Sequence, residues 1–137
     1  MAKSTASFKN NFSMKALQII MALVESATGL LLMLAPSLVV SLLFGTTLDT
    51  PAGLAIGSLA GAALFTMSIA CWVASIEKQN ESAGGLIIAM LFYNSAAFVI
   101  LAFAGFVSGL QGILLWPGVL FHATMAVWCI ASFRKLY

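Results

Sequence analysis

The residue with the clearest chemical potential in this sequence is an acidic side chain in the middle of an apolar segment. Glu25 lies halfway along the apolar run from Ala16 to Leu34. A charged side chain at the centre of a bilayer costs on the order of 3 kcal/mol on insertion scales, so an ionisable residue at that depth is by default a candidate for function. Glu25 is therefore the first candidate for binding a proton, a ligand or a polar partner.

Two other apolar segments carry polar groups at the same depth. Asn94, which follows Tyr93, lies halfway along the segment 83–106, and His122 lies halfway along the segment 113–133. Residues three, four and seven apart share a helix face. The face of Glu25 carries Gln18, Ala22, Thr28 and Gly29, and the face of His122 carries Gly118, Met125, Ala126 and Cys129. The side chains on both faces are small, polar or, as in methionine, flexible, which indicates that both faces point inward.

Two interpretations of this polar group are open. In the first, Asn94 and His122 satisfy Glu25 by hydrogen bonds between helices, each worth about 1 kcal/mol. In the second, the four residues form a ligand or proton site near the bilayer midplane, as intramembrane ionisable groups often do. We predict a ligand or proton site formed by Glu25, Tyr93, Asn94 and His122.

The sequence gives little support for a metal or cofactor. Because His122 is the only histidine, bis-histidine haem ligation within the chain is impossible. Haem ligation by a histidine–methionine pair remains open for His122 with Met90. Met125 is too close to His122 on the same helix to face it across a haem ring. Glu25, Asn94 and His122 offer too few good ligands for a metal. We expect no metal and no cofactor.

The composition shows which elements must position these residues. Hydrophobic residues make up 62% of the 137 residues and charged residues 7%, against roughly 45–50% and about 25% in a soluble domain. Such a chain suits a bilayer, where lipid-facing surfaces need no burial. We predict one integral membrane domain over 1–137, with spans at about 16–34, 52–76, 83–106 and 113–133. Short connections make neighbouring spans antiparallel, which predicts an all-α, up-down-up-down four-helix bundle.

The segment after the first span is too short to cross the membrane again. Pro36 is suited to the first turn of a helix, and Gly45 is suited to end one. We therefore predict a short interfacial or re-entrant helix between these two residues. Asp49-Thr50-Pro51 then begins the second span, and the polar stretch Glu77 to Ser82 is the clearest loop.

The basic residues predict the orientation of the bundle. With four crossings, all six lie on one side of the membrane: Lys3, Lys9, Lys15, Lys78, Arg134 and Lys135. The positive-inside rule makes that side cytoplasmic. We expect a multi-pass protein of the bacterial inner membrane with both termini in the cytoplasm. The net charge of +2 is too small and dispersed for a nucleic-acid surface.

A stripe of small residues predicts close helix packing. Gly53, Gly57 and Gly61 are spaced by four in the second span, with Ser68 one heptad further on. Such stripes let another helix backbone approach closely without specifying which helix it is. The partner is either another helix of the bundle or a second copy of the chain.

Several motifs carry a resemblance to known proteins: Ala35-Pro36-Ser37, Leu43-Phe44-Gly45, Ala70-Cys71-Trp72, Met90 to Asn94, and Leu115-Trp116-Pro117 followed by His122. On these motifs the chain from Ala16 to Phe133 resembles a group of small bacterial inner-membrane proteins with four spans. That resemblance implies the fold and the location, but no activity.

A second resemblance is architectural. Small multidrug-resistance transporters also have four spans and a lone membrane-embedded glutamate in the first, which exchanges protons for cationic drugs. Glu25 in Leu23-Val24-Glu25-Ser26 is similar to that feature alone. This chain departs from the pattern in its long first external loop and in its strong bias of basic residues to one side.

Enzyme motifs of soluble proteins, such as Cys-x-x-Cys, His-x-x-x-His and a phosphate-binding glycine loop, do not occur. We therefore predict a non-enzymatic accessory subunit or oligomeric module, surrounded by lipid. Its midplane pocket would hold a lipid, a quinone-like ligand or a partner helix. The alternative is a proton-coupled small-molecule transporter that uses Glu25 and works as a homo-oligomer. An oxidoreductase subunit, the third hypothesis, would need a cofactor.

Overall fold

The structure is a computed structural model that describes residues 2–76 and 81–134. Within these ranges the chain forms five α-helices and no strand: α1 (Ala2–Leu34), α2 (Pro36–Phe44), α3 (Pro51–Ile76), α4 (Glu81–Phe106) and α5 (Leu115–Phe133). The all-α fold predicted from the sequence is confirmed.

Four of the described helices contain segments long and apolar enough to cross a membrane: Ser13–Leu34, Pro51–Ile76, Gly84–Phe106 and Leu115–Phe133. The chain is therefore a multi-pass membrane protein with four helical spans. Helix α1 is longer than its span, because it continues back to Ala2 through the polar N-terminal tail, residues 2–12. That tail contains no glycine or proline to interrupt a helix.

Several of the residues that predict the orientation lie outside the described part of the chain. Lys78 and Lys135 are among them, as are the side chains of Lys3 and Lys9 and most of the predicted loop from Glu77 to Ser82. The cytoplasmic position of the termini therefore stays a prediction from the sequence.

Helix α2 begins and ends at the predicted residues. Pro36 occupies the first turn, where its missing N–H leaves no hydrogen bond unmade. Gly45 ends the helix with φ of +70°, and its N–H donates to the carbonyl of Ser41. A left-handed backbone of this kind favours glycine, which explains why the helix stops there.

The helices pack as two pairs, α1 with α3 and α4 with α5; among the described residues the backbones of different pairs rarely approach closely, and the pairs meet mainly through side chains. In the first pair the backbones meet where Gly61 of α3 lies against Gly29 of α1. A Cβ atom built on Gly61 would lie 2.5 Å from the nitrogen of Met33 and 2.7 Å from the oxygen of Gly29. One on Gly57 would lie 2.8 Å from Cβ of Pro36. These two glycines of the stripe thus pack against other helices of the same chain.

Helix α2 closes one end of the bundle, which we call the capped end. The amide of Gln111 donates to the carbonyl of Phe44 over 3.2 Å, and the amide of Leu114 donates to the carbonyl of Leu42 over 2.9 Å. These bonds join α2 to the segment that leads into α5. At the opposite end, which we call the terminal end, the indole N–H of Trp128 donates to the hydroxyl of Ser13 over 3.1 Å.

The buried apolar residues form two clusters at different depths. The larger cluster fills the terminal half of the bundle and comprises Met14, Leu17, Met21, Ala22, Cys71, Ile87, Met90, Met125 and Cys129. The smaller cluster lies toward the capped end and comprises Leu101, Leu115 and Val119. The polar residues predicted from the sequence lie between these two clusters.

Candidate functional site

Glu25 is buried and has one hydrogen-bond partner among the described residues. Its side chain is 1% exposed, and its Oε2 accepts a hydrogen bond from the hydroxyl of Tyr93 over 3.1 Å. Its other oxygen, Oε1, is buried and has no hydrogen-bond partner within the described part of the chain. Since a buried polar atom is normally paired, an unpaired carboxyl oxygen at this depth points to a role beyond packing.

Asn94 and His122 form a second polar pair beside the first. Asn94 is fully buried, and its Nδ2 donates to the carbonyl oxygen of Met90 over 2.8 Å. Its Oδ1 lies 2.9 Å from Nδ1 of His122. The Nδ2 group also lies 3.7 Å from the sulfur of Met21, which places a residue of α1 beside this pair.

This arrangement fixes the proton on the histidine ring. The bond from Nδ2 to the carbonyl of Met90 orients the amide of Asn94, so its acceptor oxygen faces His122. The nitrogen of His122 that meets this oxygen must be the donor, so Nδ1 carries a proton. In the neutral imidazole the other nitrogen, Nε2, is then a hydrogen-bond acceptor.

Aromatic rings hold His122 in position. The ring of Tyr93 lies edge-on to it, with the centroids 5.5 Å apart and the planes at 85°. Phe121 makes a similar contact at 5.3 Å and 76°. Edge-to-face contacts of this kind stabilise ring pairs by about 0.5–1.5 kcal/mol beyond burial. Tyr93 therefore contacts both pairs, Glu25 by a hydrogen bond and His122 by its ring.

The four residues lie together, as the sequence led us to expect, but their partners differ from those expected. Asn94 and His122 bond to each other and not to Glu25, whose partner is Tyr93. Successive residues of a helix are turned by about 100° from each other. Tyr93 and Asn94 therefore reach different neighbours although they are adjacent in the chain.

A cavity of about 480 Å³, open on one side to the surface of the bundle, lies between the two helix pairs. Tyr93 and His122 form its polar end near the midplane, and Val39, Leu42 and Leu43 of α2 line it toward the capped end. The other lining residues are almost all aliphatic or aromatic, with Thr28 as one further polar side chain. Glu25 and Asn94 do not line the cavity but lie behind the two residues that do.

A midplane pocket was expected from the sequence, but neither its extension toward the capped end nor its wall formed by α2 was predicted. Phe121, which contacts His122 and lines the cavity, was also missed. Its position directly before His122 was the available signal, because neighbours of a buried polar residue often form its surroundings. The sequence signal for Leu42 and Leu43 as lining residues was weaker: a helix too short to span the membrane must pack against the ends of other helices.

Metal binding finds no support in the part of the chain that the structure describes. No three histidine, cysteine or acidic side chains there lie close enough together to hold a metal ion. The cysteines of α3 and α5, Cys71 and Cys129, are buried and unbonded.

Comparison of the chain with protein-family models, curated proteins and solved structures found no match. The two resemblances noted above therefore rest on the quoted motifs alone.

Proposed function

We propose that this protein is a non-enzymatic membrane module that binds a small lipid-like or quinone-like molecule in the cavity between its two helix pairs. The observation that carries the proposal is the cavity of about 480 Å³ with polar groups at one end and apolar walls elsewhere. Sites for small molecules typically have roughly 300–1,000 Å³, mostly apolar walls and a few convergent polar groups. The cavity has each of these properties.

The size of the cavity favours a small molecule over a partner helix. An α-helix is about 10 Å across and rises 5.4 Å per turn, so a single turn already occupies about 420 Å³. The cavity of about 480 Å³ would therefore hold little more than one turn. A partner helix lying across the open side could insert only side chains into this space, whereas a small head group with part of an apolar tail fits within it.

The side chains at the cavity favour binding over catalysis. The titratable groups among the lining residues are Tyr93 and His122. The hydroxyl proton of Tyr93 is engaged with Glu25, and Nδ1 of His122 is engaged with Asn94. Two groups held in this way can orient a ligand, but neither is an activated nucleophile with a free base beside it.

In this proposal the protein serves as an accessory subunit or a small oligomer. It lies in a bacterial inner membrane with both termini in the cytoplasm, as the distribution of basic residues favours.

The test is native mass spectrometry of protein extracted gently from its own membrane, with two matched variants. Ala97 lines the cavity, whereas Ala89 lies on the exposed face of the same helix. We expect a bound small molecule in the wild type and in Ala89→Phe, and its loss in Ala97→Phe, because the added ring fills the cavity. Equal occupancy in both variants, or an empty wild-type protein, would contradict the proposal.

A second candidate function is proton-coupled transport of small molecules by a homo-oligomer. It is favoured by the buried Oε1 of Glu25, which has no hydrogen-bond partner among the described residues and is suited to bind and release a proton. Glu25→Gln keeps the size of the side chain and removes its titration. In proteoliposomes this variant should abolish uptake of ethidium driven by a pH gradient, with Thr66→Val, at an exposed position of α3 away from the cavity, as the control. Unchanged uptake by Glu25→Gln would remove this candidate.

A further inference from the structure

We infer that the molecule bound in the cavity is neutral and carries a hydroxyl or N–H group that donates a hydrogen bond to Nε2 of His122. This inference rests on the proposed function and specifies the class of ligand. Alcohols, phenols and quinols belong to this class, whereas quinones, ketones, esters and ethers do not.

The first step is the state of the histidine ring. The amide of Asn94 is oriented by its bond to the carbonyl of Met90, and its oxygen faces Nδ1 of His122 over 2.9 Å. Nδ1 therefore donates, and the lone pair of the neutral ring is on Nε2.

The second step is the direction of that lone pair. The Nδ1 edge of the ring faces Asn94, which is fully buried and does not line the cavity. His122 itself lines the cavity. We therefore assign the edge of the ring away from Nδ1, which carries Nε2, to the cavity.

The third step is the state of the other polar groups at this end. The hydroxyl of Tyr93 donates its proton to Oε2 of Glu25, so its oxygen can only accept a further bond. Nε2 of His122 thus offers an acceptor to the cavity. A ligand carbonyl placed against Nε2 would meet a lone pair instead of a donor, and a buried acceptor without a donor is unfavourable. A ligand hydroxyl or N–H would be satisfied.

The fourth step concerns charge. The lining residues include no acidic side chain, lysine or arginine, and Glu25 lies behind Tyr93 instead of facing the cavity. A charged head group would therefore lose its hydration without meeting an opposite charge at the wall. A neutral donor on an apolar body fits best.

The test compares probes that differ in the donor alone. The full chain, purified in nanodiscs and labelled with [15N]histidine, is titrated with 4-hexylphenol, 4-hexylanisole and hexylbenzene. Because the chain has a single histidine, every histidine signal belongs to His122. We expect 4-hexylphenol to bind about ten-fold more tightly than the other two, as one hydrogen bond predicts. Only the phenol should shift the Nε2 resonance.

The outcomes separate this inference from the proposed function. In one outcome the three probes bind with equal affinity, lose their binding in Ala97→Phe and leave the Nε2 resonance unmoved. This outcome would overturn the donor requirement and leave the cavity proposal standing. Failure of all three probes to bind would overturn both. These measurements use the wild-type chain and Ala97→Phe, so they do not depend on whether a histidine variant folds.

Two variants sharpen the test. In His122→Asn the side-chain amide reaches the position of Nδ1. The variant therefore keeps a donor for Asn94 and removes the acceptor at Nε2. His122→Gln places its amide near the position of Nε2. We expect His122→Asn to bind the phenol and the anisole alike, and His122→Gln to retain the preference. A preference retained in His122→Asn would also overturn the inference.

Discussion

The hydroxyl of Tyr93 donates a hydrogen bond to Oε2 of Glu25 and thereby connects α4 to α1 near the middle of the bundle. These helices belong to different packed pairs, and their backbones otherwise hardly approach each other among the described residues. The bond is therefore both the partner of a buried acid and a link between the two pairs.

Removing this bond should weaken the bundle measurably. Tyr93→Phe keeps the ring and deletes the donor, and we expect a loss of about 1 kcal/mol in the free energy of unfolding, in the range for hydrogen bonds between membrane helices. The measurement is unfolding by SDS in mixed micelles. In a double-mutant cycle with Glu25→Leu the two changes should be non-additive by a similar amount. Phe92→Leu, at a largely exposed position of the same helix, is the control; strictly additive effects of the main pair would contradict the prediction.

The proton position on His122 should depend on Asn94. Asn94→Leu has a similar volume but removes the acceptor that holds the proton on Nδ1. We expect the single-histidine 15N spectrum to change from one tautomer to a mixture of both. Ser95→Leu, at an exposed neighbouring position, should leave the spectrum unchanged. A spectrum of Asn94→Leu identical to that of the wild type would show that another group fixes the proton.

The contact of α1 with α3 should not tolerate even one added methyl group. Gly61→Ala would place a Cβ against the backbones of Met33 and Gly29, which cannot move aside as a flexible side chain can. We expect a loss of about 1–3 kcal/mol in the free energy of unfolding from this overpacking. Gly85→Ala is the matched control, because a Cβ there meets nothing within 4 Å, and alanine is the better helix former by up to about 1 kcal/mol. Equal stability of the two variants would contradict the predicted close contact.

The orientation predicted from the basic residues can be tested by labelling single exposed cysteines. The native cysteines, Cys71 and Cys129, are fully buried and should not react in the folded protein. Ser108, near the capped end, and Arg134, at the terminal end, are both exposed. With cytoplasmic termini, a membrane-impermeant maleimide should label Ser108→Cys in intact spheroplasts and Arg134→Cys only after lysis. The reverse pattern would show the opposite orientation.

The sequence was sufficient to predict the four-helix membrane fold because that information is local. Runs of apolar residues define spans, and the pair Pro36 and Gly45 defined the ends of α2. The start of α1 was harder to predict from the sequence, since a polar segment without helix breakers is compatible both with an irregular tail and with the first turns of a helix. The structure continues α1 through it to Ala2.

The sequence also predicted which residues of the site share a depth, but not which of them bond. Depth follows from counting residues at 1.5 Å each along a helix. Hydrogen-bond partners depend in addition on the rotation of each helix about its axis and on which helices pack together. The pairing of Glu25 with Tyr93, and of Asn94 with His122, required both. Predicting the cavity requires the side-chain packing of several helices as well, because the cavity is the space that their side chains leave unfilled.

The division into two helix pairs also sets an order of events during synthesis. Helix α1 ends at Leu34 and α3 ends at Ile76, so both leave the ribosome before any residue of α4. Their glycine contact can form before Tyr93 reaches the bilayer. Glu25 therefore enters the bilayer without its hydrogen-bond donor and gains it only when the second pair is inserted and docks against the first.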